Sequence, residues 1–468
     1  MRQYNRDPLD NQYYRPPRRK KRRRLKKSVK RALVLIVTII IILIFRPWHW
    51  FSGWSGRTDI IAADTVRVPL NQILSNMDSD LPQAAKFDKA VNQFIRKWDI
   101  RGASLAIMKD GNLIYSKGYG YADVKNQVPM EVRHIMRIAS LSKLITAVGV
   151  MKLYEDGKLK LTDRVFGPGG ILSDSTFAGY TDKKINEITV DNLLRHQAGF
   201  SVRAGDPMFL PLDVAKAMGR HGAVDMNTMI SYGLNRGIRY KPGTRTIYSN
   251  MGYLILSKVI EQASGLSYEN YIQDSILKPI GCYDMHIGYN NPEDKFENEV
   301  CYYETEDAEL IPACDGSNRM VAKSGGGNDV RGLMGAGAWV VSPTEMLKFV
   351  AAIDGDPAKP DILKKETIRL MTTDSESTLP IGWMRCNKDG DWTRTGTMAG
   401  TNALLKKQSN GYTWVFIANT SSWKGPRFHH QINTMLKQAF DRVSEWPEKD
   451  MFAADSIING LGDTTETN

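Results

Sequence analysis

The chain has 468 residues, 42% of them hydrophobic, which is ample for a large core and too long for one small domain. Its net charge of +12 would suit a nucleic-acid-binding protein. However, residues 1–31 hold 14 Lys/Arg and 2 Asp/Glu, so the remaining 437 residues carry 49 of each. The folded body is therefore neutral, and we expect no nucleic-acid partner.

An uncharged segment, ALVLIVTIIIILIF at 32–45, follows the basic tail. Its length of ~21 Å is short of the ~30 Å hydrocarbon core, but flanking Lys, Arg and Trp side chains extend it. A cleaved signal peptide and a buried core helix are the alternatives. Because bulky, charged residues follow (RPWHWFSGW), we favour an uncleaved, single-pass signal anchor at 32–51. The positive-inside rule then places the tail in the cytoplasm and the rest on the exported side of the cytoplasmic (inner) membrane.

The elements after the anchor follow from hydrophobic periodicity and turn signals. We divide the chain into the tail 1–31, the transmembrane anchor 32–51, a linker 52–83, a main domain 84–447 and a polar tail 448–468, disordered from about 450. The predicted elements, in chain order, are a helix at 84–98, two strands within 103–123 joined at Asp110–Gly111, a helix from Ser140 to Gly157, a mainly helical stretch from 160 to about 360 with a capped helix at 342–355, strands at 401–408 and 412–420, and a helix at 427–446.

Strand patterns therefore lie at both ends of the main domain, and helical patterns lie between them. This order predicts an α+β fold, in which one antiparallel sheet is formed from both ends of the domain with flanking helices. A mainly helical subdomain is inserted between the two groups of strands. We expect the functional site in the cleft between the sheet and this insertion.

Four cysteines, Cys282, Cys301, Cys314 and Cys386, follow the predicted anchor. In an oxidising compartment they permit two disulfides in three possible pairings, and no pattern selects one. The sequence contains no CxxC, HExxH or HxxEH pattern. We therefore expect neither a metal site nor a cofactor.

Ser-x-x-Lys occurs three times, at Ser140–Lys143, Ser275–Lys278 and Ser421–Lys424, so the spacing alone is weak. Context separates the copies. Only Ser140 stands at a predicted helix N-terminus with an apolar run behind it, where Lys143 lies one turn on and on the same face. Backbone N–H groups and the positive end of the helix dipole then point at the serine oxygen, which suits a nucleophile.

Two further patterns follow in the chain. Tyr248-Ser249-Asn250 comes after a Pro-Gly turn and opens a helical run, so the tyrosine can project from a loop. Arg394-Thr395-Gly396 leads into a predicted strand. Neither tripeptide is specific by itself.

Taken together, the motifs resemble those of the serine β-lactamase-like hydrolases of the class C type, which include class C β-lactamases, DD-peptidases, D-aminopeptidases and esterases. The resemblance covers about 85–445 and rests on the order of RIASLSK, ITVDNLLRHQAGF, PGTRTIYSNMGY, GAGAWVVSPTEMLKF and WTRTG. It implies that Ser140 is the acylated nucleophile, Lys143 helps to deprotonate it, and Tyr248 is the partner acid or base. It further implies a substrate contact by Asn250, a site-lining strand at Arg394, Thr395 and Gly396, and an oxyanion hole made by the N–H groups of Ser140 and Thr397.

Arg394 departs from the family pattern, which usually has Lys or His there. Arginine is always charged and cannot shuttle a proton, but it can bind a carboxylate bidentately. A fixed cation would also favour a neutral Lys143 and an ionised Tyr248. The departure is compatible with activity and favours a substrate that carries a carboxylate.

Three other features have simpler interpretations. His196 could suggest a Ser–His–Asp triad, but no GxSxG elbow exists, so we interpret it as a packing residue at a helix end. The glycine-rich segment 324–339 lacks the strand–loop–helix context of a phosphate site and predicts a turned or mobile loop near the cleft. Trp392 is interpreted as a packing residue, with lining of the substrate groove as the alternative.

The sequence thus predicts a membrane-anchored, exported serine hydrolase that acts through a Ser140 acyl-enzyme. The expected partners are the membrane, through residues 32–51, and a small peptide, ester or β-lactam substrate such as a D-Ala-terminal cell-wall peptide. The alternative is a catalytically inactive relative that binds cell-wall peptides or a partner protein. Nothing in the sequence indicates the oligomeric state.

Overall fold

The computed structural model describes residues 67–76, 81–203, 205–373 and 377–454. The predicted basic tail, the predicted anchor at 32–51 and linker residues 52–66 lie outside the described residues. Within the described ranges, no helix is both long and apolar enough to cross a bilayer.

Strands and helices are numbered here in chain order. The strands are β1 (Gly102–Lys109), β2 (Asn112–Asp123), β3 (Val128–Pro129), β4 (Met136–Arg137), β5 (His286–Ile287), β6 (Ile311–Pro312), β7 (Met320–Val321), β8 (Trp339–Val341), β9 (Arg385–Cys386), β10 (Trp392–Met398), β11 (Thr401–Lys407) and β12 (Tyr412–Ala418). The α-helices are α1 (Leu70–Ile73), α2 (Ala84–Lys97), α3 (Ser142–Glu155), α4 (Val190–Leu194), α5 (Pro211–Ala217), α6 (Met226–Asn235), α7 (Asn250–Ser264), α8 (Tyr268–Ile272), α9 (Pro343–Ala351), α10 (Lys365–Thr372) and α11 (His429–Phe440).

The main sheet has seven strands in the order β3-β2-β1-β12-β11-β10-β9, and the pairings within it are antiparallel. Strand β1 from the start of the domain pairs with β12 from its end, with Ala103 opposite Ala418. The predicted α+β fold, with one antiparallel sheet built from both ends, is therefore confirmed.

The β1–β2 connection shows why these residues form a hairpin. Asp110 and Gly111 both have left-handed backbone conformations, with φ of 48° and 78°. Two consecutive positive φ values match the twist of the flanking strands, and Asp-Gly is a favoured pair for such a turn. The predicted hairpin is confirmed at the predicted residues.

Both faces of the sheet are covered. Leu105 and Ile107 of β1 join a cluster with residues of α2 and α11, whereas Ala106 and Met108 point to a second cluster that contains α3, α7 and α9. Each fully buried large apolar side chain contributes about 1.5–3 kcal/mol. Helix α3 is buried on nearly all its sides and lies between the sheet and the helical insertion, which fixes the position of its N-terminus.

Both ends of the domain extend further than predicted. Leu70 and Leu81, assigned to the linker, are buried, and the Asn71 amide donates to the Asp284 carboxylate at 2.7 Å. At the other end, Met451 is buried and its N–H donates to the Leu113 carbonyl. The prediction that disorder begins at about 450 is therefore wrong for residues 450–454, because two hydrophobic side chains in a polar segment were enough to dock it.

Two helix predictions need correction. The helix expected at 427–446 is a 3₁₀ turn, Gly425–Phe428, followed by α11, which ends at Phe440. At α9, the Ser342 hydroxyl accepts the Glu345 N–H as predicted. The Glu345 carboxylate, however, accepts the N–H of Asp284 instead of completing a reciprocal capping box.

The four cysteines are free thiols: Cys282, Cys314 and Cys386 are buried, and Cys301 is partly exposed. The permitted disulfides are therefore absent among the described residues.

Candidate active site

Ser140 lies on a 3₁₀ turn, Ala139–Leu141, between β4 and α3. The residue before it, Ala139, has a φ of 47°, a left-handed conformation that side chains with a Cβ rarely adopt. The hydroxyl of Ser142, at the start of α3, accepts the N–H of Trp339 at 3.2 Å and ties the turn to β8. Ser140 is thus presented on a strained but braced turn, as expected of a site where geometry must be fixed.

The Lys143 side chain is completely buried, and its amine makes three close contacts. Its Nζ lies 2.7 Å from Asn250 Oδ1, 2.5 Å from the Ala336 carbonyl oxygen and 3.2 Å from Ser140 Oγ. A neutral amine has two N–H donors and one lone pair. Because the first two partners are acceptors only, they take the two donors, and the lone pair faces the Ser140 hydroxyl.

The surroundings of Lys143 favour this neutral form. Burial lowers its pKa, and the nearby Arg394 cation lowers it further, against the opposing influence of Tyr248 and Asp206. A buried ammonium without a carboxylate in contact is costly, so the proton is readily lost. Lys143 is therefore suited to accept a proton from Ser140.

Tyr248 is the third member of the cluster. Arg394 Nη2 donates to its hydroxyl oxygen at 3.2 Å, and Lys143 Nζ lies 4.9 Å from the centre of its ring. Burial would raise its pKa, but the charge of Lys143 in its protonated form, the charge of Arg394 and a hydrogen bond from Ser140 lower it to about 8. The phenol can therefore act as an acid or a base close to neutral pH.

Arg394 is buried next to Ser140 and Tyr248. Its side chain is 1% exposed, and its Nε donates to the carbonyl oxygen of Ser140 at 2.8 Å. This position agrees with the predicted electrostatic influence on Lys143 and Tyr248. Arg394 is not among the residues that line the cavity at Ser140, so a substrate carboxylate contact by Arg394 receives no support from the geometry.

Gly396 allows β10 to pass close to the serine turn. A Cβ at this position would lie 2.2 Å from the carbonyl oxygen of Ile138. Any larger residue would push the turn and the strand apart. The close approach brings β10 next to the turn that carries Ser140, and the oxyanion hole expected from the N–H groups of Ser140 and Thr397 stays a prediction.

Asn250 is the first residue of α7, whose N-terminus is capped by the Ser249 hydroxyl. Its carbonyl oxygen faces Lys143, and its amide nitrogen donates to Asp206 Oδ2 at 2.7 Å. Asn250 therefore orients the lysine as well as lining the cavity. From the sequence, only a contact with substrate was predicted for Asn250.

A cavity of about 280 Å³ opens at Ser140. Within it the predicted residues Ser140, Tyr248, Asn250, Thr395 and Thr397 meet. The remaining lining is mostly apolar: Ala139, Phe209, Leu333, Ala336, Gly337, Met384, Met398, Pro426 and His429.

The sequence matches the family model described as Beta-lactamase over residues 87–437. The chain belongs to the beta-lactamase family. Among its relatives, the Protein flp of Staphylococcus aureus strain N315 is 25% identical, over 75% of this chain and 66% of its own. The putative penicillin-binding protein PbpX of Bacillus subtilis strain 168 is also 25% identical, over 75% of this chain and 79% of its own. The chain thus spans just under two thirds of the length of Protein flp.

The fold of the beta-lactamase family recurs in a solved structure of the D-amino acid amidase from Ochrobactrum anthropi SV3 complexed with L-phenylalanine amide. The TM-score is 0.59 at 20% identity, and the match covers 77% of this chain and 98% of the amidase. At this identity the likeness is evidence for the fold. The resemblance inferred from the motif order is confirmed by these comparisons.

His196 supports Tyr248 in this member of the beta-lactamase family. Its ring stacks on Tyr248 with centroids 4.4 Å apart, and its Nδ1 accepts the N–H of Ser249 at 3.1 Å. Burial, reinforced by Lys143 in its protonated form and by the charge of Arg394, holds its pKa well below the usual value, so the ring is neutral. Its Nε2 has no partner among the described residues. His196 is therefore a packing residue, as predicted, and its partner is the tyrosine of the site.

Two residues in or beside the site were missed from the sequence. Asp206 reaches the site through Asn250, and His429 Nε2 lies 3.0 Å from Thr397 Oγ1. Both belong to segments outside the recognised motifs, and one histidine at the start of a helix gives no signal of its own. Only the tertiary fold brings these two residues close to Ser140.

The glycine-rich segment is a turned loop near the cavity and Trp392 is a packing residue, as the sequence predicted. Residues of 324–339 form tight turns beside the cavity, with Met334 at φ 42°, and one of them supplies the carbonyl contacted by Lys143. Trp392 packs against Trp383, with ring centroids 5.4 Å apart, and does not line the cavity. No cluster of His, Cys, Asp and Glu suited to a metal occurs in the described part of the chain.

Proposed function

We propose that this protein is a serine hydrolase that forms an acyl-enzyme at Ser140 with an amide, ester or β-lactam carbonyl. One observation carries the proposal. Both donors of a neutral Lys143 amine are engaged by Asn250 and Ala336, which leaves its lone pair facing the Ser140 hydroxyl. An inert surface serine and lysine would have no need of a fully buried amine held in this way.

The first half of the reaction follows from these contacts. Ser140 transfers its proton to Lys143 as its oxygen attacks the substrate carbonyl carbon. The resulting oxyanion is stabilised by backbone N–H groups, for which Ser140 and Thr397 are the candidates. The cation of Arg394 below the site keeps Lys143 neutral at the start of the step.

The second half uses Tyr248. Its phenol, with a pKa of about 8, can pass a proton to the leaving nitrogen or oxygen when the tetrahedral intermediate collapses. The phenolate can then take a proton from the water that hydrolyses the acyl-enzyme. Each proton taken from Ser140 or water is returned to the leaving group or to Ser140, so the enzyme ends unchanged.

The substrate we propose is a small amide or short peptide, with a D-Ala-terminal cell-wall peptide as the leading candidate. The cavity of about 280 Å³ is large enough for one or two residues, and its lining is mainly apolar with a few polar groups around Ser140. The D-amino acid amidase has the same fold, and PbpX is a relative of this chain. These likenesses support the class of substrate.

We also propose that residues 32–51 anchor the protein in the cytoplasmic membrane with the hydrolase domain on the exported side. The support is the uncharged segment at 32–45 behind a tail of 14 Lys/Arg. A reporter active only after export, fused after residue 60, should be active. Activity of a reporter that works only in the cytoplasm, fused at the same point, would overturn the topology.

Covalent labelling tests the hydrolase proposal. A fluorophosphonate and a fluorescent penicillin are incubated with the wild-type protein, and the Ser140 peptide is examined by mass spectrometry. We expect the added mass on Ser140, none in Ser140→Ala, and wild-type labelling in Ser275→Ala, which alters another Ser-x-x-Lys copy. If the wild type resists all probes, or Ser140→Ala labels equally, the inactive peptide-binding alternative replaces the enzyme.

A further inference from the structure

A second cavity of about 290 Å³ lies next to the one at Ser140. The 3₁₀ turn Pro207–Phe209 forms part of the wall between them, since Pro207 lines the second cavity and Phe209 the first. Ser249 also lines the second cavity, although its neighbours Tyr248 and Asn250 line the first. The mechanism proposed above makes no use of this second space.

Three arginines, Arg203, Arg236 and Arg239, line the second cavity. Within the described ranges none of them forms an ion pair with a carboxylate. The guanidinium groups of Arg236 and Arg239 instead lie over tyrosine rings, at 5.8 Å from Tyr232 and 5.4 Å from Tyr240. At these distances each ring attracts the positive charge and leaves the N–H donors of the guanidinium available.

The nearby carboxylates are occupied elsewhere. Asp206, the acidic residue in the lining, accepts the Asn250 amide through Oδ2 and the N–H of Met208 through Oδ1. Asp182, behind Gly237, accepts the N–H of Ile238 and pairs with Lys184 at 3.4 Å. Three cations therefore share the cavity with one carboxylate, which leaves a net positive charge of two in the lining.

We propose that this arginine cavity, defined by Arg203, Arg236 and Arg239, binds an anionic oxygen group, a carboxylate or a phosphate. Guanidinium edges recognise these two groups by paired N–H···O bonds, and the volume accommodates a small anion with its hydration water. All three arginines are exposed, and their positive charges, gathered around one concavity, raise the local concentration of anions there.

The site is linked to Lys143 by two hydrogen bonds in series, from Asn250 to Asp206 and from Lys143 to Asn250. An anion next to Asp206 adds to the negative potential that this carboxylate already exerts on the amine. It favours protonated Lys143 and opposes its role as a base. Occupancy of the arginine cavity should therefore slow acylation of Ser140.

Calorimetric titration of the full chain with inorganic phosphate, and separately with glutarate, tests the site. We expect saturable binding that weakens as salt increases, and at least tenfold weaker binding in the double variant Arg236→Gln/Arg239→Gln. The stronger of the two titrants identifies phosphate or carboxylate as the natural group. Arg220→Gln, which removes an exposed arginine outside the lining, should bind like the wild type.

The absence of saturable binding by either anion, or equal binding by the double variant, would overturn the site. Thermal unfolding of each variant without anion shows whether it is folded. This titration does not require Ser140 chemistry and can be repeated with Ser140→Ala, so its failure is distinct from failure of the hydrolase proposal. The link to Lys143 rests on the hydrolase proposal. It predicts that a saturating anion slows probe labelling of the wild type but not of the double variant. Equal slowing of both proteins would disprove the link.

Discussion

Two places in this molecule share the Ser-x-x-Lys spacing and differ in almost everything else. Lys143 is fully buried, with its amine held by Asn250 and the Ala336 carbonyl. The Lys278 side chain is 54% exposed and forms an ion pair with Asp274 at 2.7 Å. Spacing brings each lysine one turn from its serine, but only Lys143 is buried among neutral acceptors, which is what its proposed role as a base requires. The other remains an ordinary surface cation.

The largest expected effect comes from removing the buried amine. Lys143→Met should slow acylation of Ser140 by roughly 10³-fold, within the range known for loss of a positioned proton acceptor. The rate of probe labelling under single-turnover conditions measures it. Lys278→Met is the matched control and should label at the wild-type rate. Equal rates for all three proteins would abolish the distinction between the two lysines.

A second test moves the serine and leaves the lysine chemistry alone. Gly396→Ala forces a Cβ to within 2.2 Å of the Ile138 carbonyl unless the turn shifts. A displacement of this size should cost about 10² in labelling rate. Gly179→Ala, at an exposed glycine with only Asn235 near its Cβ position, is the control. Full activity of Gly396→Ala would show that the close approach is dispensable.

A smaller effect is expected from the charge beneath the site. Arg394 lowers the pKa of both Lys143 and Tyr248, so Arg394→Met should raise both. The wild-type labelling rate should increase with pH as Lys143 loses its proton and becomes available as the base for Ser140. In Arg394→Met this rise should move to higher pH by about one unit, with a roughly tenfold loss at neutral pH.

Arg394→Lys provides the comparison for this test because it keeps the charge. Its pH profile should stay near that of the wild type, although the bond to the Ser140 carbonyl changes. An unshifted profile in Arg394→Met would show that the cation does not tune the buried pair.

The smallest expected effect concerns stability and a buried carboxyl group, Glu345, which contrasts with the buried amine of Lys143. Burial raises the pKa of Glu345 to about 8, and its Oε1 has no partner among the described residues. A pKa raised on folding contributes stability below about 4.5 that is lost as the pH rises towards 8. Glu345→Gln should therefore raise Tm by about 2 °C or more at pH 8.5 relative to the wild type, and by less at pH 5.

Glu366→Gln is the matched control, since Glu366 is exposed in α10. Its difference from the wild type should be the same at both pH values. If Glu345→Gln behaves in the same way, burial of the carboxyl has no energetic consequence.

Local sequence patterns predicted the fold class and the positions of several strands. The Asp110–Gly111 hairpin and the strands at both ends follow from rules that act over a few residues, and the motif order identified Ser140, Lys143 and Tyr248. Arg394 was harder, because arginine is rarely buried and its sequence neighbours gave no sign that its side chain points inward. The Arg394 contact with the Ser140 carbonyl joins residues far apart in the chain, which local reasoning cannot reach.

The same limit explains the other surprises. Asp206 and His429 enter the site from segments that carry no recognisable motif, so only tertiary structure reveals them. The start of the C-terminal tail was judged by its overall polarity, yet Met451 and Phe452 are buried. The roles of the predicted site residues remain predictions until labelling is measured, although the structure brings them into contact.

The pairing of β1 with β12 has a kinetic consequence. The two central strands of the sheet, with Ala103 opposite Ala418, lie at opposite ends of the domain. Closing so long a loop costs more entropy than a hairpin does, and contacts so distant in sequence are associated with slow folding. A ribosome-bound chain cannot complete the sheet until its last strand has been synthesised. Until then the apolar faces that will meet α3 and α11 have no permanent partner, which makes the nascent domain a natural client for chaperones.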